Sequence, residues 1–385
     1  MTENEYTYLI TINTGLEDIA AKEFKQLGAK VIETHRSRVI VKSDFEFIFR
    51  VNYLSRTAHK AFLIILEETD IQSLDDVVRV TRQIEYSDYL SPHQTFAVRF
   101  ERIGEHDFTS LDMNAAVGSV IVEYFLKTTG KRIRANLNKP IVEFGGWLIQ
   151  DRLIFGINTS GSSLHMRGYR KFQHPAPLKP TIASSLLYMS RWFLDQNLIL
   201  LDPMCGSGTI LIEAALIGRS IPPGYFRDSF SFENFIFIDQ SEFQQFKESI
   251  NSKIEWNKML KLYGIDKNKN FIEGSIVNAK NANVADTIIF KHGDARYLRK
   301  YVDVIPDVVI VNPPYGYRMN AHSWVKKLYA DFIKSLIDLN PKVELIAMTA
   351  DKEMERVASK YFNLVDKKVT IYGHLSTLVY RFEPK

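Results

Sequence analysis

Residues 198–215 read L-I-L-L-D-P-M-C-G-S-G-T-I-L-I-E-A-A. Leu198 to Leu201 is an apolar run of strand length, ended by Asp202 and Pro203. Cys205-Gly206-Ser207-Gly208 is a turn of small residues. From Thr209 the spacing becomes helical, with apolar Ile210, Leu211, Ala214 and Ala215 and an early carboxylate, Glu213. Strand, glycine turn and helix in this order open a nucleotide-binding α/β sheet. The glycines let backbone approach a ligand, and the helix start offers free N–H groups. The turn has neither the lysine of a P-loop nor G-x-G-x-x-G spacing, which weakens a phosphate-binding reading.

Further along, Asp307 to Gly316 reads D-V-V-I-V-N-P-P-Y-G. Val308 to Val311 is a second buried strand, and Asn312-Pro313-Pro314-Tyr315 ends it. Two prolines cannot continue a strand. They make a stiff loop at its carboxyl end, where open α/β sheets place their sites. Together these two stretches resemble the class I S-adenosylmethionine-dependent methyltransferases that modify exocyclic amino groups. The resemblance implies an α/β catalytic domain, Rossmann-like with a mostly parallel seven-stranded sheet, and S-adenosylmethionine as cofactor. It places Asp202, Cys205, Gly206, Ser207, Gly208, Thr209 and Asn312 around that cofactor. Asp266 ends the next strand, Leu262 to Asp266, where ribose hydroxyls are expected. Asp294 and Ala295 follow the strand Ile288 to His292, beside the adenine. Pro177, Leu178 and Lys179 precede a helix expected over Thr181 to Phe193, and in the family this segment borders the pocket.

The chemistry follows from the loop. A conjugated base nitrogen is a weak nucleophile, and the methyl donor is already activated, so the task is positioning. The Asn312 side-chain oxygen and the Pro313 carbonyl can accept hydrogen bonds from an exocyclic amino group. Pro313 and Pro314 hold them rigidly. Tyr315 offers a face for the extruded base. Cys205 reads as a small packing residue, and the nine histidines show no paired metal spacing, so no metal is expected.

At 385 residues, two or three domains are expected. Apolar content of 45% with 24% charged residues is ordinary globular composition. No apolar run reaches the ~18 residues of a membrane span. The opening M-T-E-N-E-Y is acidic, which argues against a signal peptide. A single cysteine excludes an internal disulfide and a cysteine zinc site. The cytoplasm is the expected location. Net charge is +4, but residues 1–164 hold 19 Lys+Arg against 22 Asp+Glu, while 165–180 hold four basic residues and no acid. Positive charge concentrated in a connecting stretch suits a phosphate-contacting strip.

Residues 1–65 read as a small α+β unit, with strands at Tyr6 to Thr11, Val31 to Glu33, Arg38 to Lys42 and Ala61 to Glu67. Residues 66–160 contain the strand T-F-A-V-R-F-E-R from Thr95 and a helix from Thr109. The run F-A-V-R-F-E-R-I-G-E-H-D-F-T-S-L-D resembles the THUMP domain, an RNA-binding module. G-L-E-D-I-A-A-K-E resembles the ferredoxin-like segment that precedes it in the same proteins. Residues 161–180 form a basic linker with L-H-M-R-G-Y-R, which resembles the lead into the catalytic domain of THUMP-bearing methyltransferases. Arg99, Arg102, Arg167, Tyr169, Arg170 and Lys171 are the expected RNA contacts. Residues 181–385 form the catalytic domain, interrupted by an excursion at about 218–260. Each half is expected to have its own core.

These resemblances imply an RNA methyltransferase acting on the exocyclic N2 of guanosine, with tRNA as partner, at acceptor-stem position 6. The I-Y-G-H-L tail is similar to archaeal tRNA members. The rival is a 23S ribosomal RNA guanine-N2 methyltransferase, whose counterpart I-P-P-G-Y-F-R resembles. A DNA adenine-N6 or protein-glutamine methyltransferase would leave the THUMP-like half unexplained, and an inactive RNA-binding protein would not need an intact cofactor turn.

Overall fold

The computed structural model describes residues 5–316 and 322–385. Met1 to Asn4, part of the stretch behind the expectation of no signal peptide, lie outside them. The amino-terminal half runs β1 (Tyr6–Thr11), α1 (Glu17–Gln26), β2 (Lys30–His35), β3 (Arg38–Ser43), α2 (Phe47–Leu54), β4 (Lys60–Glu68), α3 (Leu74–Thr81), β5 (Thr95–Ile103), α4 (Ser110–Thr129), β6 (Arg134–Ala135), β7 (Val142–Ile149) and β8 (Arg152–Asn158). α4 starts where its sequence directs. The Thr109 hydroxyl accepts from the Asp112 N–H and the Asp112 carboxylate accepts from the Thr109 N–H. Met113, Val117, Val120, Ile121 and Phe125 recur on its buried side.

The two units expected in this half share a single eight-stranded sheet, ordered β2-β3-β1-β4-β8-β7-β5-β6. The seam is the antiparallel β4–β8 pair, with Phe62 opposite Asn158. Either unit alone would present an open strand edge of unpaired N–H and C=O groups, and joining the edges satisfies both rows.

The second half runs α5 (Pro180–Tyr188), α6 (Arg191–Leu194), β9 (Leu200–Asp202), α7 (Thr209–Gly218), α8 (Gln240–Asn251), β10 (Leu262–Asp266), α9 (Lys269–Asn281), β11 (Ile288–His292), α10 (Leu298–Tyr301), β12 (Val308–Val311), α11 (His322–Leu339), β13 (Glu344–Thr349), α12 (Glu353–Ala358), β14 (Phe362–Tyr372) and β15 (Leu375–Pro384). The single helix expected over Thr181 to Phe193 is two, and the strand expected from Leu198 begins at Leu200. Seven strands form the sheet β11-β10-β9-β12-β13-β15-β14, parallel except for β15, which lies antiparallel to both neighbours. β12 is apolar throughout because both its faces are covered. Val308 and Ile310 enter one core cluster, Val309 and Val311 the other. From central β9 the chain steps outward to β10 and β11, then returns to the other side for β12. That reversal leaves a crevice at the carboxyl ends of β9 and β12.

The expectation of two separate cores is corrected. Phe230, Phe232, Phe235, Ile238 and Phe243 of the 218–260 excursion belong to the amino-terminal core. Phe232 and Phe243 stand 5.4 and 5.2 Å from Phe49 of α2, ring centre to ring centre. In exchange, Leu16 and Ile19 join the catalytic core. Between them lies a buried polar seam. The Glu23 carboxylate accepts from the Ser55 hydroxyl, the Arg56 and Thr57 N–H groups and the Tyr188 hydroxyl. Arg56 donates to the Ile221 carbonyl at 2.7 Å. Such a carboxylate tolerates burial because its lone pairs are filled.

Candidate functional site

The crevice opens into a cavity of about 610 Å³, a size suited to a small-molecule cofactor. Its floor is the Asp202–Thr209 turn. Gly208 caps α7 at φ +78°, and a Cβ there would stand 3.0 Å from both Phe290 and Ser275. Glycine is therefore required twice over, by conformation and by space. Asp202 is 2% exposed and accepts one hydrogen bond, from the Met204 N–H at 3.2 Å. Burial, and then the neighbouring Asp266 carboxylate, push its pKa well above the usual carboxylate range. Burial likewise pushes the Cys205 thiol up, so it stays neutral and unreactive.

Asp266 joins two strand ends. Its Oδ2 accepts from the Gly206 N–H at 2.9 Å and its Oδ1 from the Asn268 N–H at 2.8 Å. Asp294 is clamped by Arg296, with Nη2 to Oδ2 at 2.6 Å and Nε to Oδ1 at 3.0 Å. That guanidinium holds the Asp294 carboxyl below its ordinary range. On the opposite wall the Asn312–Tyr315 loop follows β12. The Tyr315 hydroxyl donates to Asn312 Oδ1 at 2.5 Å. Tyr329 of α11, fully buried, donates to the Pro314 carbonyl at 2.9 Å and pairs with the Thr349 hydroxyl at 2.8 Å. This loop is thus propped from behind by a residue that its own sequence does not reveal.

Of the residues expected around the cofactor, Leu178, Asp202, Cys205, Gly206, Ser207, Thr209, Asp266, Asp294, Ala295 and Asn312 line the cavity, and so do Pro313, Pro314 and Tyr315. Pro177, Lys179 and Gly208 do not line it. Pro177 instead accepts from the Tyr372 hydroxyl, and Gly208 supports the turn. His174, Phe271, Arg296, Trp324, Leu328 and Tyr372 line it unforeseen. Tyr372 stands in the I-Y-G-H-L stretch, but no local pattern marks the others, because chain crossings bring them together.

Two of the four RNA contacts expected in the linker, Arg167 and Tyr169, are corrected. Arg167 and Tyr169 are 3% and 2% exposed and cannot meet a substrate. The Tyr169 hydroxyl donates to buried Glu213 at 2.9 Å, and Arg167 approaches the same carboxylate at 3.4 Å. Gly168, at φ +97°, packs where a Cβ would lie 2.0 Å from the Phe226 carbonyl. R-G-Y-R and P-P-G-Y-F-R are therefore two sides of one packed joint. Arg170 donates to the Leu178 carbonyl and the Thr209 hydroxyl, which makes it part of the cavity wall. Lys171 is exposed. Arg99 is exposed but paired with Glu143 at 2.9 Å, and Arg102 donates to the Gly104 carbonyl at 3.1 Å. Among the described residues no group of three His, Cys, Asp or Glu side chains is arranged to hold a metal, and no helix is long and apolar enough to cross a membrane.

Comparison with known proteins assigns the architecture. A domain described as RMKL-like methyltransferase matches residues 167–380, the ferredoxin-like domain of RlmL matches 7–61, and the THUMP domain matches 72–158. The chain belongs to the RMKL-like methyltransferases. This methyltransferase is 38% identical to the tRNA (guanine(6)-N2)-methyltransferase of Methanocaldococcus jannaschii, over 97% of its own chain and 98% of that relative. It is 31% identical to the ribosomal RNA large subunit methyltransferase K/L of Aliivibrio salmonicida over 86% of its chain. It spans about half of that longer protein, 47%. The crystal structure of a possible methylase from Clostridium difficile 630 superposes with a TM-score of 0.90 at 28% identity, covering 99% of each chain. S-adenosylmethionine is the methyl donor of this methyltransferase. The cavity suits it: a largely apolar hollow lined by the acidic side chains of Asp202 and Asp266 can accommodate a ligand carrying positive charge.

Proposed function

We propose that this chain methylates the exocyclic N2 of a guanosine in tRNA, at position 6 of the acceptor stem. The observation that carries the reading is the rigid Asn312-Pro313-Pro314-Tyr315 loop forming one wall of the cavity whose floor is the Asp202–Thr209 turn. The 38% relationship to an enzyme named for guanine 6 of tRNA, spanning both proteins, supports the substrate. Asp202, Asp266 and Asp294 with the Gly206 turn would hold S-adenosylmethionine, which supplies an activated methyl group. An amide oxygen has two lone pairs. Asn312 Oδ1 therefore keeps the Tyr315 hydroxyl and still accepts from the base amino group, with the Pro313 carbonyl as second acceptor. These bonds turn the nitrogen lone pair toward the methyl group. Guanine reaches the cavity only outside its stack, and Tyr315 offers it a face. The THUMP half supplies RNA affinity, and the reading places the protein in the cytoplasm.

A ribosomal substrate is the second reading, favoured by the K/L relationship. The discriminating experiment incubates purified protein and labelled S-adenosylmethionine with an unmodified tRNA transcript carrying guanosine 6 and, separately, a 23S fragment. Nucleoside mass spectrometry should find N2-methylguanosine in the tRNA, lost when guanosine 6 is replaced. Methylation of the 23S fragment alone selects the second reading, and N6-methyladenosine or no product overturns both.

A further inference from the structure

His59 and His165 face each other at the seam between the two halves, 5.8 Å apart ring to ring. Each uses one ring nitrogen within the protein. His59 Nε2 meets the Thr181 hydroxyl at 3.1 Å and His165 Nδ1 meets the Ser163 hydroxyl at 2.7 Å. His59 Nδ1 and His165 Nε2 have no partner among the described residues. His59, His165 and Lys179 are each partly buried, and the Lys179 ammonium forms no ion pair among the described residues.

Four cationic side chains act on this pair. Lys179 at the start of α5 acts on both rings, as does Arg167 of the linker. Arg170 and Arg227 act on His165. Asp228 acts on Arg227, and Glu213 is bonded by Arg167, Tyr169 and Ser184. Burial and then the Lys179 charge hold His59 down to about 3 and His165 down to about 4, so both are neutral here. Two imidazole nitrogens without a partner, close to an ammonium with no ion pair among the described residues, suit an oxyanion.

The position selects which oxyanion. Lys179 directly follows Leu178, which lines the catalytic cavity, and Arg170 bonds both the Leu178 carbonyl and Thr209 of that cavity. A polyanion that delivers a base into the cavity must run its backbone past this wall. We propose that His59, His165 and Lys179 form a phosphate site that seats one backbone phosphate of the RNA substrate, an inference that rests on the RNA methyltransferase reading. It replaces the cofactor role expected for Lys179.

The test measures affinity for an unmodified tRNA transcript against salt concentration, with S-adenosylmethionine affinity by calorimetry. Lys179→Gln should weaken the transcript about 10-fold and lower the slope of log K against log salt by about one. Cofactor affinity should hold, and Lys179→Arg should restore RNA binding. Wild-type affinity should rise from pH 7 to pH 5, because the phosphate favours the imidazolium, and a His59→Asn/His165→Asn double variant should flatten that rise. Lys179→Gln with wild-type affinity and slope, or with lost cofactor binding instead, overturns the site while wild-type methylation stands. A wild-type protein that neither binds nor methylates RNA overturns the functional reading and the site together.

Discussion

The Tyr315 hydroxyl is held by the residue proposed to orient the substrate, and this separates two roles that one side chain could play. Tyr315→Phe keeps the ring face and loses the tie to Asn312, so turnover should fall about 10-fold. Tyr315→Ala loses both and should fall further. Asn312→Ala removes the acceptor while β12 and both prolines remain, so single-turnover methylation should fall by about 10²-fold or more at unchanged melting temperature. Inactivity that tracks lost thermal stability would mean the amide merely caps the loop. Asp202 supports a different prediction. Its folded pKa lies above its unfolded value, so folding takes up a proton and stability is lost as pH rises above the ordinary carboxylate range. Asp202→Asn should therefore raise Tm at neutral pH, by ~1–3 °C, while weakening cofactor binding. A Tm unchanged or lowered in Asp202→Asn would contradict a carboxyl whose charged form is disfavoured by burial.

α11 lends the cavity Trp324 and Leu328 and steadies the Asn312 loop through Tyr329. The Tyr329 hydroxyl fixes the Pro314 carbonyl from behind, and a small displacement of a positioning loop is enough to slow catalysis. Tyr329→Phe leaves the buried ring in place, so stability should drop by about 1–3 kcal/mol. Turnover should fall about 10-fold or more while the cofactor Kd stays constant. Full turnover in a folded Tyr329→Phe protein would show that the two prolines hold the loop unaided. Much at this scale was legible. β11 and β12 lie where the residue spacing predicts, at Ile288–His292 and Val308–Val311. Their short apolar runs are bounded by residues that cannot extend a strand. The break after Tyr188 was not legible, because Met189 and Ser190 fit a helix as well as a turn.

For the whole molecule, the exchange of side chains between halves predicts one cooperative unit. Urea unfolding followed by tryptophan fluorescence and by circular dichroism should give coincident transitions. Two separated transitions would restore independent cores. Deleting residues 1–160 should destroy cofactor binding along with RNA methylation. It strips Leu16 and Ile19 from the catalytic core, removes Arg56 from the Ile221 carbonyl and exposes the aromatic face of the excursion. A soluble 161–385 fragment that binds S-adenosylmethionine normally would refute this.

The fold class, the cofactor turn and the Asn312 loop were determined by the sequence alone, because each depends on interactions over a few neighbouring residues. A strand ending at Asp202, a glycine forced into the left-handed region at Gly208 and two prolines stiffening residues 313–314 need no distant partner to take their shape. Tertiary structure decided the rest. Arg167 and Tyr169 have the composition of RNA contacts, yet a buried carboxylate more than forty positions away, Glu213, draws them inside, where their donors fill its lone pairs. Lys179 stands beside the cofactor wall in sequence, but its charge acts on two histidines brought from separate segments. The aromatic excursion reads as an insertion and serves as the clamp between halves. Its partners, Phe49 and Tyr53, are about 180 residues earlier, and burial of apolar surface depends on what a face meets in space, not on what precedes it in the chain.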